Sequence, residues 1–154
     1  MANNQILKTF INKLKTSEQF AARTTVVFLK NNSNANIIED FNRKQMSEGK
    51  DANDQELGNY GEMRTMQRML AGKQVGFIDL DFTNTFHKSV FVNSGLITNA
   101  KPAILIGSSD PKYSDIVDDE RFKDALGLKG ENRDKVGMMI ALEIQKELLR
   151  YYKP

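Results

Sequence analysis

The sequence predicts an α+β fold: N-terminal helices and a C-terminal helix packed on a small antiparallel β-meander, with long polar loops. Three observations point there. Apolar residues recur at three-to-four spacing up to about residue 46 and again after residue 131. Between residues 75 and 106 the pattern shortens to brief runs of branched and aromatic residues bounded by Gly, Asn, Ser or Pro. Those runs stand too close together for helical crossovers, so they must pair antiparallel.

The elements follow in order. Ile6, Leu7, Phe10, Ile11 and Leu14 share one helix face, and Phe20, Thr24, Val27 and Phe28 continue the spacing. Thr16-Ser17-Glu18-Gln19 reads as a capping box, which predicts a break at Thr16–Ser17. The polar run from Asn31 to Asn36 stops that helix and caps the next. A short helix restarts at Asn36 or Ile37, carries Ile38, Phe41 and Met46, and ends near Gly49. Residues 49–61 are the clearest loop, with three glycines and several Asx residues. Residues 62–74, with Met63, Met66, Met69 and Leu70, read as a short helix or a flap, so that 47–74 as a whole is polar. Phe77, Ile78, Leu80 and Phe82 suggest a first strand, Val90–Val92 a second and Ala103–Ile106 a third. Residues 107–130 are a second polar stretch, anchored by Tyr113, Ile116, Val117, Phe122, Leu126 and Leu128. From Glu131 or Asn132, the positions Val136, Met139, Ile140, Ile144 and Leu148 give an amphipathic helix to about residue 152.

Size and composition bound the function. A chain of 154 residues is one ordinary domain with room for a real core. No apolar run approaches the ~20 residues of a membrane span, and the first residues lack the pattern of a secretory signal. No cysteine is present, which excludes disulfides, thiol chemistry and Cys-ligated zinc. One histidine excludes a His-pair metal site within one chain. No metal and no cofactor is expected. The net charge of +2 is too balanced to argue for nucleic acid alone. Its distribution is uneven: residues 1–30 hold five basic groups (Lys8, Lys13, Lys15, Arg23, Lys30) against Glu18, while 39–58 and 108–134 are each net acidic by three. Such ends could pair head-to-tail between subunits, or the basic residues Lys8, Lys13, Lys15 and Arg23 could face DNA; solvated faces are the plain alternative.

Three patterns look like chemistry. Asp79-Leu80-Asp81-Phe82-Thr83 resembles the Asp-x-Asp-x-Thr signature of haloacid-dehalogenase-type phosphatases, in which the first Asp attacks phosphorus. On a strand, Asp79 and Asp81 would share a face. The spacing opposes this reading, because the short interval from Ser108 to Asp118 leaves no helical crossover for a doubly wound sheet. The alternative places both carboxylates in water on an antiparallel strand. Asp51, Asn53, Gln55 and Glu62 mimic a calcium loop, but Glu56 stands where the sharp turn needs Gly. His87 has no sequence-visible partner and reads as structural or exposed.

Three segments together carry a resemblance. Ile38-Glu39-Asp40-Phe41-Asn42-Arg43-Lys44-Gln45-Met46, running into Gly49-Lys50-Asp51 and Leu57-Gly58-Asn59-Tyr60, is similar to an "LN-x-x-QL-x-x-G-x-D…LG-x-Y" pattern. Leu80 to Val90 resembles a "TG-x-(L/F)-x-x-S-(I/V)" turn, with Asn84 where Gly is usual; Asn tolerates the left-handed conformation such a turn needs. Ile104-Leu105-Ile106, Leu126-Gly127-Leu128 and the final helix resemble a "strand, polar loop, GL, helix" ending. These patterns belong to the small neck and tail-completion (head–tail connector) proteins of tailed bacteriophages, in the form found in Bacteroidetes phages and prophages. The resemblance covers about residues 36–152. It implies a virion structural protein, not an enzyme, assembled in the host cytoplasm. It further implies a homomeric ring at the head–tail junction or top of the tail. The partners it implies are copies of itself, neighbouring neck, portal-side or tail proteins, and non-specific DNA in the lumen. Heterologous contacts close into rings when the rotation allows. The two long polar stretches would then interlock between subunits, with Asp51, Asn53, Leu57, Tyr60, Tyr113, Ile116, Leu126 and Leu128 as candidate contacts. Two alternatives remain: a small metal-dependent phosphatase or hydrolase using Asp79 and Asp81, or a DNA-binding regulator using the basic N-terminal helix.

Overall fold

The computed structural model describes the backbone of residues 2–81, 84–93, 97–98, 101–102 and 104–151, and the side chains of 16–81, 84–93, 104–116 and 118–150. The fold is a small α+β fold. Helix α1 (Ala2–Lys30) runs unbroken through Thr16–Ser17, so the predicted break is corrected. A hydroxyl residue inside a helix costs only tenths of a kcal/mol, roughly, and the apolar repeat on both sides outweighs the capping signal. Ala22, Thr25, Phe28 and Leu29 form the buried face, with the Thr25 hydroxyl donating back to the Ala21 carbonyl at 2.9 Å.

The asparagine run does both jobs expected of it. Asn34 Nδ2 donates to the Phe28 carbonyl at 3.0 Å near the end of α1, and Asn31 Oδ1 accepts from the Ser33 N–H at 2.9 Å to cap α2 (Asn32–Ser47). Helix α2 therefore starts four residues before the expected Asn36. Its inner face is Ile38, Asn42, Gln45 and Met46.

Helix α3 (Glu62–Leu70) follows the first loop, and the single turn α4 (Thr85–Ser89) precedes strand β1 (Val90–Asn93). Asn84 caps α4 with φ 59°, in the left-handed conformation. β1 pairs antiparallel with β4 (Leu105–Ser108), with Val90 opposite Ser108 and Val92 opposite Ile106. β2 (Ile97–Thr98) and β3 (Lys101–Pro102) pair as a separate ribbon. The Ala103 start of the expected third strand lies outside the described residues. Helix α5 (Tyr113–Val117) is one turn in the second polar stretch, and α6 (Gly130–Tyr151) closes the chain.

Of the expected strand at 77–82, no strand forms over the described residues 77–81, and Phe82 lies outside them. Leu80 takes φ 53°, which breaks the alternation a strand requires, and Asp79 turns its carboxylate back onto the Asp81 N–H at 2.9 Å.

Helix α2 covers the edge that β1 would otherwise leave open. Arg43 Nη2 donates to the Val90 carbonyl at 3.1 Å, and Glu39 Oε1 accepts from the Val92 N–H at 3.1 Å. Glu39 and Arg43 also pair with each other at 2.9 Å, so polar side chains take the place of a neighbouring strand. Among the described residues the core has three parts. Phe28, Leu29, Ile38 and Val136 join α1, α2 and α6; Met46, Phe86 and Val90 join α2 to α4 and the β1–β4 pair; Leu57, Ile78 and Ala125 tie the loops.

Candidate functional site

The residues that sequence reading set apart as acids, Asp79 and Asp81, stand in a buried polar knot. Asp79 is 6% exposed, which corrects the expectation that it lies in water. Its Oδ1 accepts from the Tyr60 hydroxyl at 2.7 Å and the Asp81 N–H at 2.9 Å. Its Oδ2 accepts from Arg68 Nη2 at 2.7 Å and Gln74 Nε2 at 2.6 Å. Its backbone is held too: the N–H donates to the Tyr60 oxygen at 3.1 Å, and the carbonyl lies 2.7 Å from His87 Nε2. A carbonyl can only accept, so His87 carries its proton on Nε2 here. The lone histidine is thus a buried structural donor.

Arg68 is the second centre of the knot and is 1% exposed. Nε donates to the Gln74 carbonyl at 2.7 Å, Nη1 to the Asp81 carbonyl at 2.6 Å, and the guanidinium lies 4.5 Å from the centre of the Tyr60 ring. The planar fork thus binds three separate acceptors, which a lysine could not do. Burial works to raise the Asp79 carboxyl, but the hydrogen bonds from Gln74, Tyr60 and the Asp81 N–H, with the Arg68 charge, hold it below its ordinary value. Burial, helped by the Asp79 side chain that takes its hydrogen bond, pushes the Tyr60 phenol up to about 12.

This geometry does not suit nucleophilic attack. Both Asp79 oxygens are occupied by two donors each, and Asp81 Oδ2 receives Lys73 Nζ at 3.3 Å. Asp81 Oδ1 is buried without a partner among the described residues. No metal-sized group of His, Asp or Glu gathers among the described residues. The calcium-like loop is closed on itself, with Asp51 Oδ1 accepting from the N–H groups of Asn53 and Gln55 at 2.8 Å each.

The candidate contact residues are mostly turned inward. Leu57 is 4% exposed, with Tyr60 packed against its cluster; Tyr113, Ile116 and Leu126 pack against the cluster of Met46, Phe86 and Val90; Leu128 packs against that of Phe28, Leu29, Ile38 and Val136. The two long loops interlock with each other within one chain. Ala52 N–H donates to the Asp124 carbonyl at 2.8 Å, and Asn53 Nδ2 to the Asp124 carboxylate at 3.1 Å. From α2, Asn42 Nδ2 donates to the Gly127 carbonyl at 2.7 Å, and Gln45 Oε1 accepts from the Lys129 N–H at 2.8 Å. Loop residues that looked free to reach a neighbour therefore hold this chain together. Tyr60 and Ile116, from different loops, meet in the wall of a cleft of about 660 Å³ with Ile78, Leu80, Phe86 and Phe122. Arg23 is exposed on α1. The side chains of Lys8, Lys13 and Lys15 lie outside the described residues.

The segment read as a short helix or a flap is the helix α3, and it carries an apolar surface. Its charged Arg68 points in, while Met63 (79% exposed), Met66 (65%), Met69 (64%) and Leu70 (80%) point out. A second apolar line runs along α6, where Met138, Leu142 and Leu149 are 67%, 62% and 63% exposed. The signal was in the sequence: the methionine repeat of α3 and Arg68 fall on opposite faces at helical spacing. No family model, curated protein or solved structure matches this chain.

Proposed function

We propose that this chain is a structural protein of a tailed-phage virion, assembling with copies of itself as a ring at the head–tail junction or top of the tail. It works by docking onto neighbouring neck, portal-side or tail proteins around the DNA channel. The observation that carries the reading is the outward apolar face of α3, with its counterpart on α6. Contiguous exposed apolar surface of this extent marks a protein contact. The three segments that resemble neck and tail-completion proteins support the same reading. Asp79, the residue a phosphatase would need as nucleophile, is engaged by four donors.

The test is native mass spectrometry with negative-stain electron microscopy of the purified protein over a range of concentrations. A discrete oligomer with a central lumen is the expected result. A protein that stays monomeric at every concentration and binds duplex DNA with steep salt dependence would replace this reading with the regulator.

A further inference from the structure

We propose that the methionine face of α3 in one copy docks on the exposed apolar seam of α6 in a second copy, making a head-to-tail contact. The inference rests on the self-assembly part of the function proposed above and names the two faces that meet. Both faces carry the spacing by which helices interlock. On α3, Met63, Met66 and Leu70 stand three and four residues apart; on α6, Met138, Leu142, Gln145 and Leu149 stand four, three and four apart. These are the intervals of a seven-residue repeat, in which side chains of one helix fill the spaces of another. The lengths fit as well: the α3 face spans ~10 Å and the α6 seam ~16 Å at the helical rise per residue.

Area favours this pairing over the alternatives. The four outward residues of α3 expose roughly 500 Å² and the α6 seam roughly 350 Å², together more than half of the ~1,600 Å² of a standard stable interface before any rim is added. A two-fold contact of α6 with its own copy would leave all of the α3 face in water. The head-to-tail contact covers both faces of every copy but the two at the ends of an open chain, and of every copy in a closed one. Flexible methionines suit α3 to this task, since they adapt to an irregular partner surface. Gln145, exposed in the middle of the α6 seam, is placed to fix the register of docking, as a single polar residue does in helical seams.

The chain has no cysteine, so introduced ones report cleanly. M66C and L142C are made as separate proteins of distinguishable mass, mixed and oxidised. A disulfide joining the two different chains is expected in the mixture, with little dimer from either alone. As a second measurement, M66K and L142K should each weaken self-association by about tenfold or more, with the circular dichroism of the monomer unchanged because both positions are exposed. Cross-linking of L142C to itself alone would overturn the inference in favour of an α6–α6 dimer while self-assembly stands. Oligomers unaffected by M66K and showing no mixed disulfide would also overturn it and leave self-assembly intact. A strict monomer would overturn both. A mixed disulfide in open filaments would sustain this contact and overturn the ring.

Discussion

Arg68→Met is the sharpest test of how the region between residues 57 and 87 is held. The change keeps an unbranched side chain of good helix propensity and deletes three N–H contacts of 2.6–2.7 Å to Gln74, Asp79 and Asp81. Removing one partner of a buried ion pair costs about 3–5 kcal/mol. Asp79 keeps three donors (Tyr60, Gln74 and the Asp81 N–H), which favours the lower end, ~3 kcal/mol. The Gln74 and Asp81 carbonyls each lose a donor, adding roughly 1 kcal/mol between them. The expected loss is about 4 kcal/mol, which for a chain of this size lowers the melting temperature by roughly 8–16 °C. Urea unfolding followed by circular dichroism measures it. The charge pair itself is isolated by adding Asp79→Asn: the double variant should be at least ~2 kcal/mol more stable than the two single losses predict. A loss below ~1 kcal/mol for Arg68→Met, or additivity within ~0.5 kcal/mol, would refute the account of the knot as a coupled unit.

Four further outcomes are expected. Asp79 has a native pKa below its unfolded value of about 3.9, so its stabilisation is complete above that pH and is lost as pH falls through the native value. Asp79→Asn should accordingly flatten the dependence of stability on pH below about 4. Tyr60, pushed up to about 12, contributes stability that is complete below its unfolded pKa of ~10 and disappears on rising towards 12. Tyr60→Phe should remove that alkaline loss, together with a late phenolate step in absorbance titration. At Gly127, φ is +139° and an added Cβ would lie 2.8 Å from the Ala52 Cβ, so Gly127→Ala should destabilise by ~2–3 kcal/mol in the same urea assay. Asn42→Asp would turn a carboxylate towards the carbonyls of Ala125 and Gly127; a loss of ~3 kcal/mol or more, recovered in part at acid pH, is expected.

The helices were legible in the sequence because apolar spacing and asparagine caps act locally. Residues 136, 139, 140 and 144 are spaced to share one helix face whatever surrounds them, and Val136 is indeed in the core. The segment from 77 to 81 folds otherwise than its pattern suggests, because alternation of Ile78 and Leu80 reads as a strand while the deciding interactions are distant. Arg68 and Tyr60 reach Asp79 from eleven and nineteen residues away, and nothing in the local pattern announces that a charged side chain will be buried. The part the long loops play in this chain's own packing was hidden for a related reason. Polarity implies exposure, yet Asn42 and Gln45 supply donors and acceptors from inside α2 that satisfy loop backbone at 127 and 129. The face of α3 was half legible: helical spacing fixed which residues lie together, but only the buried Arg68 fixes which way they point.

A helix fastened by hydrogen bonds, with its apolar side left in water, carries an unusual thermal signature. Lifting α3 off its own chain uncovers little hydrocarbon, so that opening has a small heat-capacity change and varies gently with temperature. Covering its methionines with another protein would remove hydrocarbon from water with a negative heat-capacity change, so such a contact would weaken on cooling more steeply than the attachment of α3 to its own chain. If copies associate through α3 as proposed above, chilling would part them before it lifted α3 from its own chain, leaving the helix in place to re-engage on warming.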